Sequence, residues 1–369
     1  MKLVVFGAPI SPARGDTRPE AWRALGRALG QLGHRVTFFE RRVGSGARDL
    51  RPIPGCDLRP YESWDEALPA ARRELARADA GIVTSQCPDG LPAAEALLES
   101  RAPRRVFYDL DTAATLRQAG ARQTSFVRSL ALPRFDLVLS VTGGEALERL
   151  RSRLGARRVA PLYPWVDPDE HRPVPADPRF RADLACLVPA GPQDARALEP
   201  LCFAAALRLP QHRFLIGGPA PATDPTVPGN VAYERVRRAD FAAFSCSARL
   251  SLHVTRGAIG ALGFCPSPEL LETAACGVPV LSEPWPWLEA FFVPGEEILV
   301  ARTTAEVCDA LALPAHELAR IGAAGRERVL AEHTADCRAR ELVDLLRAGE
   351  RPRREDPEAV RDLVAVLRT

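Results

Sequence analysis

Lysine is almost absent from this chain, although arginine is abundant. Its 369 residues include 49 basic side chains, and Lys2 is the only lysine among them. A phosphate-loop lysine and a lysine that forms a Schiff base are therefore excluded, because both chemistries need that side chain. Any phosphate that the side chains hold has to be held by arginine.

Several other features are missing. The nine cysteines show no C-x-x-C spacing, which argues against a zinc site or a disulfide framework and favours reduced thiols in the cytoplasm. A net charge of +2 gives no reason to expect nucleic acid as a partner. There is no signal-peptide core and no run of about 18 apolar residues, so we expect neither secretion nor a membrane span. The sequence predicts a cytoplasmic protein.

Short apolar runs alternate with amphipathic stretches in the first half of the chain. A strand over 3–6 is followed by a loop rich in glycine and proline, a helix over 21–32 and a strand over 35–39 that ends in Glu40. This order is typical of a nucleotide-binding α/β half, although the G-x-G-x-x-G motif is missing. Residues 41–61 are predicted to be irregular. Later elements of this half are a helix over 64–78 and strands over 81–85, 105–108 and 137–141.

A second alternation of the same kind follows a segment rich in proline. Residues 161–175 contain five prolines and are predicted to be a linker. Strands are then predicted over 184–188, 213–216, 230–234, 250–254, 278–281 and 297–300, with helices over 195–207, 239–245 and 315–346. We predict an α/β protein with two Rossmann-like doubly wound domains facing across a cleft. The predicted boundaries are 1–165 and 166–345, followed by a charged tail over 346–369 with a helix at 357–367.

The stretch 263–283 carries the clearest local signals. Ser267 is a good helix N-cap and Pro268 suits the first helical position. In a strand–loop–helix–strand unit this helix begins at the carboxyl edge of the sheet, where an anion is favoured. Glu269 and Glu272 are predicted to share a face other than the apolar one. The first turn can then address a phosphate while Glu272 reaches a neighbouring hydroxylated group.

The chain resembles glycosyltransferases of the GT-B fold. Their donor-site signature is matched by SPELLETAACGVPVLSE followed by FFVPGEEILVAR, and other parts of the chain match with RRVFYDLDTAATL, DLVLSVTGG and LSLHVTR in the expected order. The closest similarity is to the CgeB-like (spore maturation protein) branch of the family-1/family-4-like transferases. The resemblance implies a nucleotide-sugar donor bound mainly by the second domain and an acceptor held mainly by the first. It also implies catalysis without a metal or other cofactor and retention of configuration.

The resemblance also implies roles for individual residues of the second domain. Glu272 matches the glutamate that holds the ribose hydroxyls of the donor, and the alternative is an ordinary solvated helix glutamate. Pro266 and Ser267 would present backbone groups to the diphosphate, with Glu269 beside them. Tyr233 lies where the base is usually contacted. The base itself stays open, with UDP- and dTDP-linked sugars as candidates.

Two positions depart from the family pattern. A second glutamate, eight residues before Glu272, is replaced by Phe264. The arginine and lysine that clamp the phosphate after the first strand of the second domain are also missing. Arg256, at the end of a predicted strand, can replace them, although an arginine at a strand end is often only solvated.

Asp109 and Asp111 are the candidates for catalysis in the first domain. They form a D-x-D pattern after a predicted strand, which in isolation suggests a metal–diphosphate site. We reject a metal because the pattern lies far from the donor signature. Asp109 or Asp111 would instead accept a hydrogen bond from a substrate or act as a general base. The alternative for Asp111 is a helix N-cap.

Two loops at the same predicted edge complete the candidate site. Small residues there allow close approach of the backbone to a ligand. The candidate residues of these acceptor-facing loops are Gly7, Ser11, Gly15, Asp16, Thr142 and Gly143.

The sequence thus predicts a transferase of a sugar from a nucleotide diphosphate donor to an acceptor hydroxyl. Two alternatives stay open: a nucleotide-sugar epimerase on the same fold, and a nucleotide-sugar-binding protein without catalytic activity. The broken glutamate pattern and the missing phosphate lysine favour the second alternative.

Overall fold

The computed structural model describes residues 1–10, 19–42, 52–120, 132–188, 198–218, 227–254 and 265–348. These residues form two parallel β-sheets, each flanked by helices, as predicted. Both sheets are doubly wound, because the strand order reverses direction at the first strand of each.

The first sheet has seven strands in the order β3-β2-β1-β4-β5-β6-β7. The strands are β1 Lys2–Gly7, β2 Arg35–Arg41, β3 Cys56–Tyr61, β4 Ala80–Thr84, β5 Arg104–Asp109, β6 Leu137–Ser140 and β7 Val159–Pro161. Its helices span Pro19–Gln31, Trp64–Leu75, Gly90–Glu99, Thr112–Gly120 and Glu145–Leu154. The central strand β4 is buried at every position, as expected for a parallel sheet that is covered on both faces.

The second sheet has six strands in the order β10-β9-β8-β11-β12-β13. The strands are β8 Ala182–Leu187, β9 Phe214–Gly217, β10 Val231–Glu234, β11 Ala248–His253, β12 Val280–Ser282 and β13 Leu299–Val300. Its helices span Ala204–Arg208, Phe241–Cys246, Pro268–Ala275, Thr304–Ala312 and Ala315–Glu332, and a last helix spans Ala335–Arg347. A π-helical turn, Glu199–Phe203, precedes the first of them.

The chain passes between the two domains at two adjacent points. Trp165 packs in the core of the first sheet, and Val166 packs in the core beside the helix Pro268–Ala275. The amide of Val166 donates to the carbonyl of His333 at 2.9 Å, and the amide of Ala335 donates to the carbonyl of Val166 at 3.0 Å. The two crossings are therefore joined by backbone hydrogen bonds.

The last helix, Ala335–Arg347, returns to the first domain. Its apolar side chains Ala339, Leu342 and Val343 are buried in the core of the first sheet, against the helix Pro19–Gln31. The predicted boundaries assign residues up to 345 to the second domain. In the structure this helix instead packs against the first domain, because its apolar face covers the core of the first sheet. The order of elements along the chain does not indicate this packing.

Other differences from the prediction have local causes. The sequence predicts an irregular segment over 41–61, yet Cys56–Tyr61 forms the edge strand β3. Its side chains are mostly exposed or half-buried and it contains Pro60, which a sheet tolerates at its edge. The continuous helix predicted over 315–346 is interrupted at His333, and Thr334 caps the next helix by accepting from the amide of Cys337. The predicted helix over 357–367 lies outside the described residues.

Candidate functional site

The helix Pro268–Ala275, the signature helix, begins as the sequence predicts. Ser267 is extended (φ −65°, ψ 148°), and its hydroxyl accepts from the amide of Leu270 at 3.1 Å. Pro268 occupies the first helical position, where an N–H would have no partner within the helix. Gly277 follows the helix with φ +75°. The predicted cap and glycine end are confirmed.

Glu272 is buried, whereas the sequence places it away from the apolar face. The residue is 1% exposed. Its carboxylate accepts from both terminal nitrogens of Arg238, with 2.7 Å from Nη1 to Oε2 and 2.8 Å from Nη2 to Oε1. This two-point geometry is the strongest form of a carboxylate–arginine pair. A solvated helix glutamate is therefore not what the structure contains.

His171 is the third member of this cluster. Its Nε2 lies 2.7 Å from Nη2 of Arg238 and 3.8 Å from Oε1 of Glu272. Because a guanidinium only donates, the short contact requires a lone pair on Nε2 and hence a neutral ring. Burial lowers the pKa of His171, which keeps the ring neutral. The guanidinium also lies over the ring of Phe241, 5.1 Å from its centre, a favourable cation–π contact.

The sequence interpretation missed Arg238 and His171. They are separated by 67 residues, and Arg238 is 34 residues from Glu272. Arg238 follows β10 in a run of arginines, a position close to Tyr233, but no spacing pattern marks it. His171 lies in the segment that the sequence predicts to be a proline-rich linker. Only the folded chain brings these side chains together.

The remaining donor-site candidates surround the start of the signature helix or lie on a strand. Pro266 is buried, while Ser267 and Glu269 are half-buried. Pro268 has no N–H, and the amide of Leu270 is already bonded to Ser267. The half-buried Tyr233 lies on β10 and packs against the core of the second sheet. Arg256 and Phe264 lie outside the described residues, so the roles predicted for this set stay predictions.

Asp109 ends β5 and is fully buried. Its Oδ1 accepts from the hydroxyl of Thr115 at 3.0 Å and from the amide of Asp111 at 3.2 Å. Its Oδ2 has no hydrogen-bond partner within the described chain. Burial raises the pKa of Asp109 to about 6, against the opposing effect of its hydroxyl and amide donors. A carboxylate with this pKa can exchange a proton near neutral pH.

Asp111 is exposed and caps the helix Thr112–Gly120. Its Oδ1 accepts from the amide of Ala114 at 3.0 Å, which is the helix-capping alternative. Thr142 and Gly143 are buried beyond β6, where the amide of Thr142 donates to the hydroxyl of Ser140 at 3.0 Å. This hydrogen bond does not test whether Thr142 and Gly143 contact an acceptor, so that role stays a prediction.

The first loop begins at Gly7 and is anchored by an acid. The fully buried Glu40, at the end of β2, accepts from the amide of Ile10 at 2.7 Å. This acid therefore holds the beginning of the loop after β1. Ser11, Gly15 and Asp16, the other candidates of that loop, lie outside the described residues.

Two further kinds of feature are missing from the described residues. In the part of the chain that the structure describes, no three His, Cys, Asp or Glu residues are grouped closely enough to hold a metal ion. Over the same residues, none of the helices combines the length and the apolar character that a bilayer crossing requires.

Comparison with solved structures shows that this architecture is the GT-B fold. The two doubly wound parallel sheets define that fold. Residues 196–344, most of which lie in the second domain, match a family model described as "Glycosyl transferase-like". No curated protein sequence is significantly similar to the chain.

Three solved structures illustrate the likeness of the whole chain. Sucrose-phosphate synthase from Thermosynechococcus elongatus superposes with a TM-score of 0.61 at 15% identity, covering 94% of this chain and 98% of that one. HepE of Anabaena, in complex with UDP-glucose, gives 0.60 at 13% identity, covering 94% and 100%. An alpha-glucosyltransferase in complex with UDP-glucose and DNA containing an abasic site gives 0.60 at 12% identity, covering 94% and 99%. At these identities the likeness establishes the fold.

Proposed function

We propose that this protein is a glycosyltransferase that moves a hexose from a nucleotide-diphosphate sugar to an acceptor hydroxyl. The proposal includes a metal-independent, retaining reaction in the cytoplasm and membership of the CgeB-like branch. The main support for this proposal is the buried Glu272 on the signature helix, which lies in the part of the chain that matches a glycosyltransferase-like family model.

The chemistry of the second domain supports a donor site. A carboxylate accepts hydrogen bonds and does not donate them when ionised, so it suits the vicinal hydroxyls of a ribose. The first turn of the signature helix lies one turn before Glu272, and a helix start favours the negative charge of a diphosphate. UDP-glucose is bound by HepE and by the alpha-glucosyltransferase. We therefore propose a nucleoside-diphosphate sugar as the donor, with UDP as the first base to test.

The first domain would hold the acceptor. Asp109 is the proposed proton acceptor or hydrogen-bond acceptor for a substrate hydroxyl, because its pKa of about 6 is suited to proton exchange at neutral pH. Its side chain is fully buried, so the acceptor has to reach it by displacing what covers it. Asp111, which caps a helix, would support this edge of the sheet.

A binding protein without catalysis is the second candidate. Phe264 at the position of the second family glutamate is the observation that favours it. Release of free nucleoside diphosphate from the donor separates the two functions, since only a transferase or hydrolase forms that product. Interconversion of donor sugars without any acceptor would indicate an epimerase instead.

The test begins with thermal unfolding of the wild type against UDP-, dTDP- and GDP-sugars. A ligand at about a hundred times its Kd stabilises a protein by about 2.7 kcal/mol, which is a readily measured shift. Glu272→Gln should abolish most of this shift. Glu332→Gln is the matched control, because that glutamate lies on a helix of the same domain and pairs with Arg328 at the surface. A Glu272→Gln protein that binds the donor like the wild type would contradict the proposed donor site.

A further inference from the structure

Arg238 joins three separate segments of the second half of the chain. Its guanidinium makes two hydrogen bonds to Glu272 on the signature helix and contacts His171 before β8. Arg238 itself begins the short 3-10 helix that follows β10. Its side chain is 30% exposed, whereas that of Glu272 is 2% exposed. The accessible part of this cluster is thus the arginine.

The two-point contact limits how Glu272 can bind anything else. An ionised carboxylate has about four acceptor positions, two on each oxygen. Arg238 takes one position on each oxygen, and no other hydrogen bond to this carboxylate occurs among the described residues. One position on each oxygen remains, which matches the two adjacent O–H donors of a vicinal diol.

The arginine also changes the electrostatics of the site. A carboxylate without a counter-charge would repel a diphosphate several ångströms away, and the repulsion is larger in a buried site than in water. Arg238 cancels that charge at a distance of 2.7 Å from Glu272. The same residue therefore affects both the hydroxyl contacts and the phosphate contacts of a donor.

We propose that Arg238 is a positioning residue of the donor site, which orients Glu272 for two hydroxyl donors and cancels its charge towards the diphosphate. This inference rests on the proposed function. It predicts two separable effects of Arg238: a preference for ribonucleotides over 2′-deoxyribonucleotides, and a preference for the nucleoside diphosphate over the uncharged nucleoside.

The experiment measures dissociation constants by calorimetry. UDP, ADP and GDP are first compared on the wild type, and the tightest is used together with its 2′-deoxy analogue and its nucleoside. The wild type should prefer the ribonucleotide at least tenfold, because the deoxy analogue leaves one buried acceptor unpaired. In Arg238→Met both preferences should fall at least tenfold.

Arg238→Lys separates the two effects. Lysine keeps the positive charge but offers a point contact instead of a planar fork. We expect it to retain the preference for the diphosphate over the nucleoside and to lose the preference for the ribose diol. A merely structural role would weaken all three ligands by the same factor in both variants, and that result would overturn the proposal.

The double variant Arg238→Met/Glu272→Gln covers the case in which Arg238→Met does not fold. Removing both charges should restore folding and the preference for the diphosphate over the nucleoside, while the ribose preference stays lost. An Arg238→Met protein that binds the diphosphate as tightly as the wild type, or more tightly, would overturn the proposal while leaving the proposed function intact. If the wild type binds none of UDP, ADP, GDP and dTDP, the proposed function and this inference both fail, whereas binding of dTDP alone would overturn this inference and leave the proposed function intact.

Discussion

Asp109 in the first domain and Glu272 in the second are both buried carboxylates, but their surroundings are of opposite kinds. Asp109 is held by a hydroxyl and a backbone amide, and no cation pairs with it among the described residues. Glu272 is held by the two-point contact of Arg238. Neutral donors do not offset the burial of Asp109, whose pKa rises to about 6. Asp109 is therefore suited to proton exchange, whereas Glu272 is suited to binding a ligand.

The largest expected effect is the loss of the cation from the second site. Arg238→Met should lower the free energy of unfolding by about 3–5 kcal/mol, because it leaves the buried charge of Glu272 without a partner. Urea unfolding followed by circular dichroism measures this loss. The double variant with Glu272→Gln should recover most of it.

The matched control is Arg105→Met in the first domain. Arg105 also makes a two-point contact with Asp136, through Nε and Nη2 at 2.9 Å each, but each side chain is about one-third exposed. Removing this guanidinium should cost at most about 1 kcal/mol. Equal losses in Arg238→Met and Arg105→Met would contradict the view that burial sets the difference.

The same two regions show how far the sequence alone could lead. The cap at Ser267, the signature helix and most strands could be predicted, because local spacing and residue type determine them. The environment of Glu272 could not, since Arg238 and His171 are remote in the sequence and no periodicity relates them. The edge strand β3 was missed for a different reason: its apolar content is low and it contains a proline.

The pH dependence of stability gives the next largest effect. Burial holds the pKa of Asp109 at about 6 in the folded chain, against about 3.9 in an unfolded one. Between these values the folded state binds more protons, so this group makes the protein more stable as the pH falls from 7 to 4. The contribution is about 3 kcal/mol at most. It should be absent from Asp109→Asn, as urea unfolding of both proteins at pH 7.5 and 4.5 would show.

Asp136→Asn is the control for that titration. Burial alone would raise the pKa of Asp136, but the side chain and amide of Arg105 outweigh it and lower the pKa. The contribution of Asp136 is lost only as the pH falls below about 3.9, outside the range measured. The difference between Asp136→Asn and the wild type should therefore be nearly constant from pH 7.5 to 4.5. If the difference between Asp109→Asn and the wild type is equally constant, the Asp109 carboxyl of the wild type is ionised over this whole pH range, which would contradict the prediction.

A smaller effect is expected from the glycines that end β1 and β9. A Cβ on Gly7 would lie 2.8 Å from Cζ of Phe38. A Cβ on Gly217 would lie 2.8 Å from Cδ1 of Leu187 and 2.9 Å from Cζ of Phe244. Overpacking of this kind costs about 1–3 kcal/mol. Gly217→Ala should cost more than Gly7→Ala, because more side chains have to move.

Thermal and urea unfolding measure the stability of these two variants. The control is a glycine at which an added methyl group makes no close contact. Gly229 is suitable, since among the described residues no atom outside Gly229 and its two chain neighbours lies within 4 Å of the position that an added methyl group would take, and its φ is not in the left-handed region. Gly229→Ala should stay within about 0.5 kcal/mol of the wild type. A comparable loss at all three positions would mean that steric contact is not the cause.

The smallest effect concerns the two helix caps, which are alike in geometry. Asp111 accepts from the amide of Ala114 at 3.0 Å, and Ser267 accepts from the amide of Leu270 at 3.1 Å. Asp111→Ala and Ser267→Ala should each lower the free energy of unfolding by about 1 kcal/mol. Nucleotide affinity should fall only in Ser267→Ala, because that cap fixes the start of the helix that carries Glu272. If Asp111→Ala abolishes turnover while losing no more stability than Ser267→Ala, Asp111 acts in the reaction as well as in the helix cap.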